Sequence, residues 1–106
     1  MKFKVGDEVV IKPFEEIKKL PCHQIEKVDN EEEEIVGSCE DTDEFGNVIT
    51  AHNSFVHSML KFCGKETVIE RVCNDGNYKL VNTNNWSFIA CWLERAPHYV
   101  DSFKEE

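Results

Sequence analysis

No apolar run in this chain approaches the roughly 18 residues that carry a helix across a bilayer, so no membrane-spanning segment is expected. The opening "MKFKVGDEVV" has neither the apolar core nor the cleavage site of a secretory signal and passes straight into a strand-like pattern. The five cysteines are odd in number and show no paired spacing. That excludes a fully paired disulfide framework and suits free thiols in a reducing compartment. These absences together predict a cytoplasmic protein. Basic charge is scarce too: 12 Lys and Arg stand against 21 Asp and Glu, for a net charge of −9. Phosphate recognition needs a basic footprint, so direct nucleic-acid binding is not expected. Apart from one run of four glutamates there is no low-complexity tract, and no fixed-period repeat is visible.

What is present is a globular composition. The 106 residues are 41% hydrophobic and 10% aromatic, enough for one domain with a modest core. The charge is unevenly placed. Glu26 to Glu44 holds ten acidic residues and one base, Lys27, so this segment accounts for the whole net charge and the remainder balances. A basic protein partner is the natural counterpart of such a surface.

"FKVGDEVVIKP" reads as a strand opening, with Val5, Val9 and Ile11 apolar and a bend at Gly6 and Asp7. Pro13 cannot continue a ladder and suits a first helical position, and Phe14, Ile17 and Leu20 then form one short helical face, stopped by Pro21. "HQIEKVDNEEEEIVGS" predicts a hairpin turning at Asp29-Asn30, and "FGNV" a second turn at Gly46-Asn47. "NSFVHSMLKFCGK" predicts a helix: Ser54 as cap, Phe55, Met59 and Phe62 on one face, Gly64 as terminator. Beyond it "ETVIERV", "YKLVNT" and "WSFIACWL" read as strands separated by "NDGN" and "NN" turns.

The "VGDEVVIKP" opening and the later "CGKETVIERV…GNYKLVN…WSFIACWLERA" resemble small SH3-like β-barrels. They are similar in particular to short proteins of bacterial phages and mobile elements that pair a "GD-V-I" strand with a "GK-x-x-x-I" strand and a tryptophan-bearing final hairpin. The likeness covers residues 3–13 and 63–96, a little under half the chain. It implies a mainly β, SH3-like barrel built from residues 3–13 and 63–100, with residues 14–62 as a helix-containing acidic insert in the first long loop. It also implies a binding role rather than a reaction.

Several constellations hold residue types that could carry chemistry. Cys39, His52 and His57 have the C-x12-H-x4-H spacing of half a zinc finger, but the preceding cysteine, Cys22, stands sixteen residues away instead of two to four. Cys63, Cys73 or Cys91 could meet a histidine in space, yet no local signature of a nucleophile surrounds them, and Cys91 lies in an apolar run. "DTDEFGN" has Asp41, Asp43 and Gly46 at calcium-loop positions, but Phe45 and His52 stand where oxygen ligands belong. No metal and no cofactor is therefore expected, and no enzymatic activity. Among the aromatics Phe88 and Trp92 are assigned to the core. Trp86, beside Tyr78, is left as the exposed candidate for a peptide-binding face.

Two binding surfaces follow. The first is the acidic run, with Glu31, Glu32, Glu33, Glu34, Glu40, Asp41, Asp43 and Glu44 as partner-binding residues. A strand displaying carboxylates on one face spaces them by about 6.6–7 Å, near the phosphate repeat of a nucleic-acid strand. This predicts an acidic inhibitor from a phage or mobile element that fills the basic nucleic-acid channel of a host defence enzyme. The second surface is Trp86 with Tyr78, which predicts an adaptor for a peptide or protein segment. A redox or zinc-dependent enzyme is the third reading.

Overall fold

The computed structural model describes residues 2–27, 33–43 and 45–96. Among them, eight strands and one short α-helix follow one another as β1 (Glu8–Ile11), α1 (Phe14–Lys18), β2 (His23–Lys27), β3 (Glu33–Thr42), β4 (Val48–Phe55), β5 (Glu66–Val72), β6 (Asn77–Leu80), β7 (Ser87–Ile89) and β8 (Leu93–Arg95). The protein is mainly β, as its β-branched and aromatic runs predict. Its described strands form two antiparallel sheets and no closed barrel. One sheet has five strands in the order β7-β6-β5-β1-β8, the other three in the order β2-β3-β4. No helix among the described residues is long and apolar enough to cross a membrane.

Short turns set the connections of the larger sheet. Residues 73–76 close the β5–β6 hairpin, with Cys73 N–H on the Asn77 carbonyl at 2.8 Å. A register shift between Ile69 and Arg71 leaves an extra residue in β5 and bends it. The loop after β6 holds Asn82, Asn84 and Asn85 at positive φ, a conformation that asparagine accepts more readily than most residues.

The expected hairpin arms do pair, Lys27 opposite Glu33 and Ile25 opposite Ile35. Its proposed turn at Asp29-Asn30 lies outside the described residues. Two expectations are corrected. Ser54 does not cap a helix: it and Phe55 end strand β4, and a 3-10 helix covers His57–Phe62 instead. Met59 and Phe62, three apart, lie one above the other on a 3-10 helix and are both buried, whereas Phe55 is buried from the strand. Gly64 takes a φ of +79° just after this helix and so turns the chain into β5. "WSFIACWL" likewise is not one strand. A 3-10 turn, Ala90–Trp92, separates β7 from β8 and lets Ala90 and Trp92 both bury.

Both sheets bury one core. Val9, Ile11, Ile69, Leu80, Phe88 and Leu93 from the large sheet pack with Ile35, Ala51 and Phe55 from the small one. Phe55 stands edge-on to Trp92 at 5.1 Å between ring centres, a favourable aromatic geometry. Burial of Phe88 and Trp92 agrees with their assignment to the core. Within residues 14–62, the expected insert, the described residues form α1, the sheet β2-β3-β4 and the 3-10 helix His57–Phe62.

Candidate functional site

Strand alternation decides what the acidic run can present. On β3, Ile35, Gly37, Cys39 and Asp41 face inward, while Glu34, Val36, Ser38, Glu40 and Thr42 face outward. Glu34 and Glu40 are therefore about 20 Å apart along the strand, with Val36 and Ser38 between them. The described part of the run makes no carboxylate ladder. What it makes is a like-charge pair, because Glu26 on β2 stands directly opposite Glu34. Such a pair is destabilising unless something basic lies over it. Glu33 turns the other way and meets Lys18 of α1 at 3.5 Å. Glu31, Glu32 and Glu44 lie outside the described residues.

Asp41 and Tyr78 are corrected from surface to interior. Tyr78 is fully buried and its hydroxyl donates to Asp41 Oδ2 at 2.5 Å. Asp41, also buried, accepts on Oδ1 from the backbone N–H of Lys2 at 2.9 Å and of Thr42 at 2.8 Å. Burial, and then the bond to the Asp41 carboxylate, push the Tyr78 hydroxyl well above the usual phenol range. These oxygens are occupied inside the fold, so neither residue offers a contact to a partner. Trp86 is half-buried and packs against the core, which reduces the face it can offer.

Neither metal reading gains a site. Cys39 pairs with Ala51 on the inner face of the small sheet, whereas His52 pairs with Ser38 on the outer face. The zinc-finger spacing thus points its first two ligands to opposite sides. No cluster of three or more potential metal ligands occurs among the described residues. In the calcium-like loop, Asp43 Oδ1 accepts from Phe45 N–H at 2.9 Å and Asn47 N–H at 2.8 Å. Those bonds hold the carboxyl of Asp43 below the usual range, with the Asn47 N–H contributing most. The aspartate closes its own turn.

That turn sets up a feature that composition does not reveal. It holds Phe45, 80% exposed, at the tip of the β3–β4 hairpin, while Val5, 65% exposed, lies in the N-terminal turn. Both line a groove of about 660 Å³, together with Lys4, Asp43, Ile49 and Val72. Large apolar side chains exposed together around a concavity mark a binding surface more often than isolated ones do. The sequence offers one signal for it, an aromatic in an otherwise polar "DTDEFGN" turn.

A second constellation joins residues far apart in sequence. His23 Nδ1 lies 2.7 Å from the Pro21 carbonyl, and its Nε2 lies 2.9 Å from the indole Nε1 of Trp92. An indole only donates, so Nε2 accepts and Nδ1 carries the proton to Pro21. Gly37, opposite His23, makes room for the ring, since a Cβ there would fall 2.2 Å from it. Cys91 Sγ lies 3.8 Å from the same Nε2. A cysteine thus meets a histidine in space, as one of the sequence readings allowed, though the histidine is bonded on both nitrogens.

Comparison with protein-family models, with curated proteins and with solved structures found no match to this chain.

Proposed function

We propose that this chain is a non-enzymatic protein-binding module of the SH3-like type that docks a basic protein partner. The observation that carries this reading is the groove of about 660 Å³ that the exposed Phe45 and Val5 line together with Asp43. An apolar side chain of the partner would fill the groove, and its neighbouring Lys or Arg residues would meet Asp43 and the acidic run. Supporting the SH3-like type are the order of the five-stranded sheet and the 3-10 turn between its last two strands. Five free cysteines accord with a reducing, cytoplasmic location.

In its sharper form the reading is an acidic inhibitor from a phage or mobile element that blocks the basic nucleic-acid channel of a host defence enzyme. Its support is the net charge of −9, concentrated in one segment, together with the resemblance. The Glu26–Glu34 pair adds a place where a cationic partner would remove repulsion. The adaptor reading keeps one specific support, the apolar groove itself, moved from Trp86 and Tyr78 to Val5 and Phe45.

The test compares wild type, Phe45→Ser and a variant with Glu31, Glu32, Glu33 and Glu34 all changed to Gln. Each is used to capture partners from nuclease-treated bacterial lysate across a salt series. The module reading expects Phe45→Ser to lose the wild-type partner. The inhibitor form further expects loss with the Gln variant, a captured nucleic-acid enzyme, and capture that falls as salt rises. Undiminished capture by Phe45→Ser would remove the groove from the account.

A further inference from the structure

Cys39, on the inner face of β3, and Cys91, in the 3-10 turn Ala90–Trp92, are 52 positions apart in sequence yet adjacent in the fold. β3 packs against that turn, and the two thiols are electrostatically linked. Both thiols are half-buried and line a pocket of about 330 Å³, shared with Leu20, Pro21, Cys22 and Thr50. That volume admits a small molecule from solvent.

We propose that Cys39 and Cys91 form a redox-active dithiol, oxidised to an intramolecular disulfide by small-molecule disulfides that enter this pocket. Two thiols from packed elements, on the wall of one open pocket, carry the inference together. The hydrogen bond from Cys91 draws the Cys39 thiol below its ordinary range, against an opposing effect of burial. The same bond, and then burial, push Cys91 up. The two sulfurs are thereby given unequal roles, Cys39 attacking and Cys91 resolving.

The step balances without any further reagent. Cys39 thiolate attacks one sulfur of RS–SR and displaces RS⁻, leaving a mixed disulfide on Cys39. Cys91 then gives up its proton, attacks Cys39 Sγ and displaces the second RS⁻. The two protons of the original thiols end on two RSH molecules, and two electrons pass from the protein pair to the small disulfide. The Cys91 proton leaves to the displaced RS⁻, since His23 Nε2, 3.8 Å from Cys91 Sγ, is already taken by the indole N–H of Trp92. The new bond would tie β3 of the small sheet to the turn that precedes β8 of the large one. Oxidation would therefore lock the two sheets together.

The proposal is tested on the full chain equilibrated with reduced and oxidised glutathione over a range of ratios, quenched by alkylation and mapped by mass spectrometry. The expected result is a Cys39–Cys91 linked peptide pair that grows with the oxidised fraction, with a Tm that rises alongside it. In a limited iodoacetamide reaction at neutral pH, Cys39 should be modified before Cys63 and Cys73. Cys91→Ser should stop at a glutathione adduct on Cys39 and show no rise in Tm. Stable mixed disulfides on wild-type Cys39, without the link to Cys91, would overturn the proposal. So would oxidation that joins either residue to Cys22 instead. Because the wild-type map alone decides this, a variant that fails to fold does not affect the outcome.

Discussion

The hydroxyl of Tyr78 donates to the carboxylate of Asp41, and through that contact β6 of the five-stranded sheet is bonded to β3 of the three-stranded one. Tyr78→Phe keeps the ring in the core and removes this bond, together with the longer one that the hydroxyl accepts from the Phe3 N–H at 3.3 Å. Asp41 then stays buried with only the N–H groups of Lys2 and Thr42. A loss of about 1–3 kcal/mol is expected, the usual penalty for stranding a buried charged acceptor. Urea denaturation with an unchanged slope checks it.

The same contact sets an alkaline limit. The Tyr78 phenol ionises at higher pH in the folded chain than in the unfolded one, where it titrates near 10. Its contribution is therefore fully present below pH 10. Above that pH the unfolded state releases the proton and the folded state keeps it, so stability falls as pH rises. Stability profiles from pH 8 to 11 should show a steeper alkaline decline in wild type than in Tyr78→Phe. Parallel profiles would show that the phenol ionises equally in both states.

Gly37 and His23 are coupled by space. Gly37→Ala would place its Cβ 2.2 Å from the imidazole, so the ring must leave Trp92. A cost of about 1–3 kcal/mol is expected from the stranded indole N–H. His23→Ala removes the ring that the new methyl would strike. Adding Gly37→Ala to it should therefore cost far less than in wild type, and a double-mutant cycle reads the difference.

Phe45 carries no folding role. It is 80% exposed at a hairpin tip held by Asp43, so Phe45→Ser should change stability by no more than about 0.5 kcal/mol. Asp43→Ala, by contrast, removes the acceptor for the N–H groups of Phe45 and Asn47 and loosens the turn. Amide hydrogen exchange at Asn47 should accelerate in Asp43→Ala and stay unchanged in Phe45→Ser.

Elements with a clean period or a strong turn signal were legible in the sequence. Asp75-Gly76 and the alternating runs around it predicted β5, β6 and their turn, and Pro13 and Pro21 bracketed α1. The segment from Asn53 to Gly64 misled because Phe55, Met59 and Phe62 satisfy helical spacing, while Phe55 also continues the inward set of Ile49 and Ala51. Local pattern cannot choose between a strand feeding a 3-10 helix and a single longer helix, and tertiary burial chooses here. "WSFIACWL" misled similarly, since an all-apolar run hides the turn within it. Of the candidate site residues, Tyr78 and Asp41 are 37 positions apart, and only the packing of the two sheets reveals that they satisfy each other. Glu33 and Glu34 look equivalent in sequence, yet alternation sends them to opposite faces. Phe45, the most exposed large apolar side chain among the described residues, stands out in the sequence only as the residue that spoils a calcium loop.

Strand β1 lies antiparallel to β8, Val9 opposite Arg95, and the Ala96 N–H reaches back to the Glu8 carbonyl at 3.2 Å. The chain therefore enters and leaves the described fold side by side, at one pole. A pulling force applied through residues 8 and 96 would meet these backbone bonds in succession, each bearing the whole load before the next. In a parallel arrangement the same bonds would share the load and yield together. A protein whose resistance to heat draws on a core common to both sheets can thus be peeled open along its edge by a modest mechanical tug.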